Sequence, residues 1–287
     1  MKILIKIGSA LISDSGRINY QWLKSKVKEI AGLHNQGYRP IIVSSGAVAA
    51  GMEIENLTHR PKETLKLQLL AGEGQIRLMK HYKDLFMAHG IFVAQVLLTH
   101  HNFAEKAEIR TIKLIMNAYL EQGTIPIVNE NDLVNKEEFE YKRVFTDNDI
   151  LAGLVATLLK VDLAVILTDV DGLYLGDPKE NRDARLIEEV ESIDAGIIRM
   201  ASKATNPLGL GGMSSKLKAA EMITGAGINT IVANGRYDIS DILANRVKRT
   251  LFKGLKKEKN YETDNLKELR GAQPLGCGSH SRADIKI

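Results

Sequence analysis

The chain has 287 residues, 44% hydrophobic and 26% charged, enough for a large buried core in one big α/β domain or two smaller ones. Its formal charge of +4 is unevenly placed: residues 253 to 287 carry eight Lys/Arg against five Asp/Glu, which leaves the body nearly neutral and argues against a general nucleic-acid binder. One cysteine, Cys277, excludes an intrachain disulfide framework, no Cys/His spacing matches a zinc site, and no apolar run approaches the ~18 residues of a membrane span. The expectation is a soluble, cytoplasmic protein without a secretory signal, because Lys6 breaks the apolar start.

In chain order, strand-length apolar runs fall at 3–7 (ILIKI), 40–45 (PIIVSS), 91–98 (IFVAQVLL), 125–128 (IPIV), 163–168 (LAVILT) and 229–234 (NTIVAN). They are apolar almost throughout rather than alternating, the pattern of strands covered on both faces. Helical patterns fill about 20–36, 61–88, 105–122, 148–160 and 214–226, and Gly37, Gly90, Gly123 and Gly227 sit at helix-to-strand junctions. The alternation predicts a three-layer α/β/α sandwich with a mainly parallel central sheet. One catalytic domain over 1–252 is expected, followed by a basic tail over 253–287 whose last stretch loses periodicity.

In open parallel sheets, ligands gather beyond the C-terminal ends of the strands. That rule selects Gly8-Ser9, Ser44-Ser45-Gly46-Ala47, Asn129-Glu130-Asn131-Asp132, Thr168-Asp169 and Asn234-Gly235. Turns and helix caps favour the same residue types, so each cluster alone is open to that simpler explanation. Lys6 lies inside an apolar strand, where it either faces water on a sheet edge or meets an anion, with Gly8 letting the backbone approach that ligand. Ser44 or Ser45 either caps the next helix or leaves its N-terminus to a carboxylate or phosphate, and both uses are compatible. The amides and acids of VNEND and TDND suit a zwitterionic amino acid, an ammonium group, a lysine or Mg²⁺. The stretch GLGGMSSK, 209–216, has the composition of an anion loop, but no Gly-Lys dipeptide occurs in the chain and a P-loop is excluded. His100 and His101, adjacent and so pointing apart, read as structural or surface residues.

With this order and spacing, KIGS, SSGAVAAG, IPIVNEND, TDND, LTDVDGLY and GLGGMSSKLKAA resemble the amino acid kinase family, over about Lys2 to Phe252. NEND and GGMSSK are similar to the branch that phosphorylates glutamate. The resemblance implies ATP-dependent phosphorylation of the side-chain carboxylate of L-glutamate to L-glutamyl 5-phosphate, the first step of proline biosynthesis. The alternative is a sister kinase acting on acetylglutamate, aspartate or uridylate. The resemblance also implies that Lys6 and Lys216 embrace the transferring phosphoryl group and that Asp149 orients them. Glutamate would be held by Ser45, Gly46, Ala47, Asn129, Asp132 and Asn148. ATP would be held by Lys6, Gly8, Thr168, Asp169, Leu210, Gly211, Gly212, Met213, Ser214, Ser215 and Lys216. Mg²⁺ is implied as a cofactor bound mainly through the ATP phosphates, without a dedicated protein cage. A homo-oligomer (dimer or tetramer) inhibited by proline is implied, with no membrane or nucleic-acid partner and no PUA domain. Three positions depart from the family pattern: Leu210 replaces a usual threonine, Thr146 a common glycine, and Glu73 a neutral residue, which bears on local loop geometry.

The implied reaction brings two anions together, so Coulomb repulsion is its main obstacle and charge neutralisation its main need. A carboxylate with a free pKa near ~4.3 is ionised at neutral pH and needs no general base. None of the seven histidines falls within the motifs, and Asp149 is therefore expected to hold lysines rather than to take a proton. No G-x-G-x-x-G follows the first strand, which weighs against a dinucleotide oxidoreductase.

Overall fold

The computed structural model of the chain describes residues 1–14, 16–134, 148–176, 183–203 and 212–255. Its strands are β1 (Lys2–Ile7), β2 (Ser13–Asp14), β3 (Arg17–Ile18), β4 (Arg39–Ser44), β5 (Val93–Leu98), β6 (Ile125–Glu130), β7 (Leu163–Thr168), β8 (Leu173–Tyr174), β9 (Leu186–Ile187), β10 (Glu189–Val190), β11 (Asn229–Asn234) and β12 (Arg249–Phe252). Its helices are α1 (Ser9–Ile12), α2 (Tyr20–Asn35), α3 (Ala47–Ile54), α4 (Thr64–Met87), α5 (Lys106–Glu121), α6 (Asn148–Leu159), α7 (Ala195–Lys203), α8 (Met213–Gly225) and α9 (Ile239–Leu243).

Eight strands form one sheet in the order β10-β12-β11-β7-β1-β4-β6-β5. The pairs from β11 to β5 are all parallel, and β12 runs antiparallel to β11. Successive residues of a strand face opposite sides, and here both sides are covered. Ile3, Ile5 and Ile7 of β1 pack with Leu23, Val27 and Ile30 of α2 and Leu70 and Phe86 of α4. Leu4, between them, packs on the other side with Leu151 and Val155 of α6 and Met116 and Leu120 of α5. Farther along that side, Ile166, Val232 and Phe252 meet Leu217 and Ala220 of α8. Double coverage is the reason the strand sequences show no alternation, and the three layers match the expected sandwich.

β1 lies between β4 and β7, with Lys6 opposite Val43 and Ile166. The sheet-edge explanation for Lys6 is thereby excluded, and Lys6 is 4% exposed. The junction glycines Gly37, Gly90, Gly123 and Gly227 all have positive φ, between 71° and 87°, as helix-terminating residues before a strand require.

Helix α3 crosses α4 where neither helix has a side chain. A Cβ on Gly51 would lie 2.0 Å from the Leu70 carbonyl oxygen, and one on Gly74 would lie 1.9 Å from that of Ala47. Backbone cannot yield as a flexible side chain can, so Gly74→Ala is expected to lower stability by about 3 kcal/mol, at the upper end for an overpacked site. Urea unfolding measures this; a change below about 0.5 kcal/mol would mean the crossing is not close-packed.

No helix among the described residues is long and apolar enough to cross a membrane. Leu210, Gly211, Thr146 and the stretch from 256 lie outside the described residues. Glu73 is described and is a correction to the expected loop effect: it is an exposed residue in the middle of α4, so it shapes no loop.

Candidate active site

The five clusters chosen at strand ends stand at the C-terminal edge of the sheet, where β1, β4, β6, β7 and β11 end. The centre of this edge is a carboxylate. Asp149, in the first turn of α6 and fully buried, forms an ion pair with Lys6 Nζ through Oδ1. Its Oδ2 pairs with Lys216 Nζ at 3.2 Å and accepts a hydrogen bond from Ser215 Oγ at 2.7 Å. Lys216 is 6% exposed. Three elements far apart in sequence, β1, α6 and α8, thus bring two ammonium groups to one acid.

Burial by itself would raise the Asp149 pKa, but Lys6 and Lys216, with hydrogen bonds from Lys6 and Ser215, overcome it and bring the value down to about 2. The acid is ionised at all physiological pH values and cannot serve as a proton acceptor there. Gly8 borders the same spot: a Cβ on it would lie 3.2 Å from the Leu167 carbonyl oxygen and 3.9 Å from Lys6 Nζ. A side chain would therefore press on the Leu167 carbonyl and touch the ammonium.

Helix α8 begins at Met213, after Gly212, which has no side chain to cap the helix's first N–H groups. Met213, Ser214 and Ser215 are half-buried in that first turn. Helix α3 likewise starts behind Gly46, at φ 115°, without a side-chain cap. The capping role considered for Ser44 and Ser45 is thus not adopted. Uncapped helix starts leave N–H donors and the positive dipole end available to an anion.

Ser44 instead bonds the Ser45 carbonyl oxygen and the hydroxyl of Tyr82 on α4, each at 2.8 Å. Burial pushes the Tyr82 phenol well above its ordinary value, so it stays protonated and can donate to Ser44. Ser45 Oγ accepts from Asn148 Nδ2 at 3.1 Å, and the same Nδ2 lies 3.1 Å from Asn129 Oδ1. Asn129 Nδ2 in turn donates to Gln75 Oε1 at 2.8 Å. Ala47 is buried at the start of α3 beside this amide cluster's Ser45.

Asp132 lies two residues beyond the end of β6. Its main-chain carbonyl accepts from Gln68 Nε2 at 2.9 Å. Desolvation raises its carboxyl pKa to about 6, against the opposing pull of the Arg60 guanidinium. On the other flank, Thr168 Oγ1 donates to Asp169 Oδ1 at 3.2 Å, and Asn234 Nδ2 donates to the Asp169 carbonyl at 3.0 Å. Gly235 ties this flank to the core: its N–H donates to Thr168 O at 2.8 Å and its carbonyl accepts from Trp22 Nε1 at 3.0 Å.

The sequence motifs therefore separate into three groups on one edge: Lys6, Asp149, Ser215 and Lys216 in the centre, Ser45, Asn129 and Asn148 on one side, and Thr168 and Asp169 on the other. Gln75 and Tyr82 escaped the motif search. Both look like ordinary inward positions of an amphipathic helix, and only the α3–α4 crossing brings them beneath the strand ends.

A model of the amino acid kinase family matches residues 1–234. The glutamate 5-kinase of Clostridium acetobutylicum is 40% identical over 254 residues, covering 88% of this chain and 94% of that protein. The glutamate 5-kinase of Dehalococcoides mccartyi is 41% identical over 243 residues, covering 84% of this chain but 64% of that protein, so the chain spans just under two thirds of that relative. Among solved structures, a carbamate kinase from Giardia lamblia bound to AMP-PNP superposes with a TM-score of 0.61 at 18% identity, covering 88% of this chain and 98% of that one. An isopentenyl phosphate kinase superposes with a TM-score of 0.59 at 19% identity, covering 88% and 100%. These two share the fold. The chain belongs to the amino acid kinase family, on its glutamate 5-kinase branch.

Proposed function

We propose that this chain transfers the γ-phosphoryl group of ATP to the side-chain carboxylate of L-glutamate, giving L-glutamyl 5-phosphate and ADP, in the cytoplasm and as the entry step of proline synthesis. The observation that carries the reading is Asp149 holding two buried lysines, one from β1 and one from α8, between an amide cluster and a nucleotide-suited flank. Residues 1–252 would form the catalytic domain.

The glutamate carboxylate attacks the γ-phosphorus and the bond to the β,γ-bridging oxygen breaks. Negative charge on the equatorial oxygens and the leaving ADP is the obstacle. Lys6 and Lys216 are placed to offset it, since Asp149 fixes the direction of both ammonium groups. With the nucleophile already ionised, no residue needs to remove a proton, in keeping with the low pKa of Asp149. The uncapped start of α8 would receive phosphate oxygens, and Thr168 and Asp169 the rest of the nucleotide.

Mg²⁺ belongs to this proposal as the counter-ion of the triphosphate. Among the described residues no three acid, histidine or cysteine side chains converge, and both Asp149 oxygens already face lysines, so the donor set suits a cation held by phosphate oxygens. When bound, the ion would add neutralising charge to the β- and γ-phosphates.

Ser45, Asn129, Asn148 and Asp132 would hold glutamate, with Asp132 attracting its ammonium group. Because Asp132 titrates near about 6, glutamate KM is expected to rise as the pH falls through that value, where protonation removes the charge. Asp132→Asn is expected to raise KM at pH 8 and to abolish the inflection; an unchanged KM–pH profile would exclude the role. Inhibition by proline and assembly into a homodimer or tetramer complete the proposal. Trapping the acyl phosphate with hydroxylamine tests the whole: hydroxamate should require ATP and glutamate and fall on adding proline. Preferential use of acetylglutamate, aspartate or uridylate would replace the reading by a sister kinase.

A further inference from the structure

Gln75 follows Gly74, the residue at which α4 touches the backbone of α3, and this close approach places it against Asn129 at the end of β6. Gln75 is 8% exposed. The direction of each amide in the chain that follows is fixed by one group that has no choice. The main-chain N–H of Glu130 can only donate, and it donates to Asn129 Oδ1 at 2.9 Å. Asn129 therefore turns its Nδ2 to Gln75, and Gln75 must answer with Oε1. Asn148 in turn meets an acceptor at Asn129 Oδ1 and so points its Nδ2 there and at Ser45 Oγ. This leaves Asn148 Oδ1 buried and without a partner among the described residues.

A buried acceptor without a donor is costly, and a site that keeps one is poised for a ligand that supplies the donor. Resting on the glutamate reading above, we infer that Gln75 is a positioning residue: its Oε1 locks the Asn129 amide, which sets the buried Asn148 Oδ1 away from Asn129 as an acceptor for the substrate's ammonium group. Without Gln75, Asn129 Nδ2 is buried with no partner and the Asn129 amide is held at one end only. If that amide swings over, Asn148 meets a donor, reverses, and presents N–H groups to the ammonium. The effect is expected on glutamate, because among the described residues the side-chain hydrogen bonds of Gln75, Asn129 and Asn148 run to one another, to Ser45 and to the Glu130 main chain.

The test compares steady-state kinetics of wild type, Gln75→Met, Gln75→Asn and Gln75→Glu, varying glutamate and ATP separately, with thermal melts to confirm folding. Gln75→Met removes the acceptor at nearly constant length, and Gln75→Asn retains an amide too short to reach Asn129. Each is expected to raise glutamate KM about tenfold, the scale of one lost buried hydrogen bond, and to leave ATP KM within about twofold. Gln75→Glu keeps an acceptor oxygen at full reach and is expected to fall within about threefold of wild type. Should Gln75→Met fail to fold, Gln75→Asn carries the same comparison. A wild-type glutamate KM in either shortened or apolar variant, equal losses for both substrates, or no recovery in Gln75→Glu would overturn the inference. A wild-type protein that does not turn over glutamate would overturn the substrate reading and this inference with it, whereas turnover without an effect of Gln75 overturns the inference alone.

Discussion

Lys216→Met is expected to lower kcat by about 10²- to 10³-fold while leaving glutamate KM nearly unchanged. The magnitude is that of removing one preorganised donor aimed at charge that grows in the transition state. The methionine keeps most of the apolar stem that packs at the start of α8, so the loss isolates the ammonium group. Asp149 retains Lys6 and Ser215 in the variant, which limits the structural damage. Steady-state kinetics with a melting curve separate the outcomes. A variant with normal kcat and only a raised KM for ATP would make Lys216 a binding residue rather than a stabiliser of the transferring group.

Asp149→Asn should cost both activity and stability. The wild-type carboxyl is fully buried between two ammonium groups that are themselves almost buried. An amide is nearly the same size, but it removes the negative charge that both ammonium groups share. Removing one partner of a buried ion pair typically costs about 3 to 5 kcal/mol, and a similar loss is expected in urea unfolding. Turnover should fall at least as far as in Lys216→Met, since both lysines lose their fixed direction. The pH dependence follows with the same sign: a carboxyl lowered from 3.8 to about 2 stabilises the fold above its ordinary value and gives this up as the pH falls toward 2. The Asn variant should lack that contribution and lose less stability between pH 4 and 2. Near-normal turnover in Asp149→Asn would remove the acid from the account.

The strands were legible because each is buried on both faces, so hydrophobic identity alone marked them. Ile3, Leu4 and Ile5 point alternately to opposite layers and all are fully buried. Lys6 stood out for the same reason, as a charge where every neighbour is apolar. The strand-end rule then located Ser45, Asn129 and Thr168 without any contact information. It could not show that Asp149 joins Lys6 to Lys216, since that contact spans 210 positions and depends on how β1, α6 and α8 meet. The short helix α3 was only half visible, because AVAAGM has no polar face to give it a period. Gln75 and Tyr82 were hidden for the opposite reason: their spacing on α4 matches any buried helix face, and their chemistry arises from a crossing made possible by two glycines. Elements β10, β12 and α7 were missed because they are short or carry exposed charge, and the antiparallel pairing of β12 is set by tertiary contacts.

A crystal structure of the protein with glutamate and a non-hydrolysable ATP analogue measures the central claim directly. Lys6 Nζ and Lys216 Nζ should each lie within about 3.2 Å of an oxygen on the γ-phosphoryl group or its bridge, with Asp149 still between them. A triphosphate that ends elsewhere, with either ammonium turned away from it, would contradict the account.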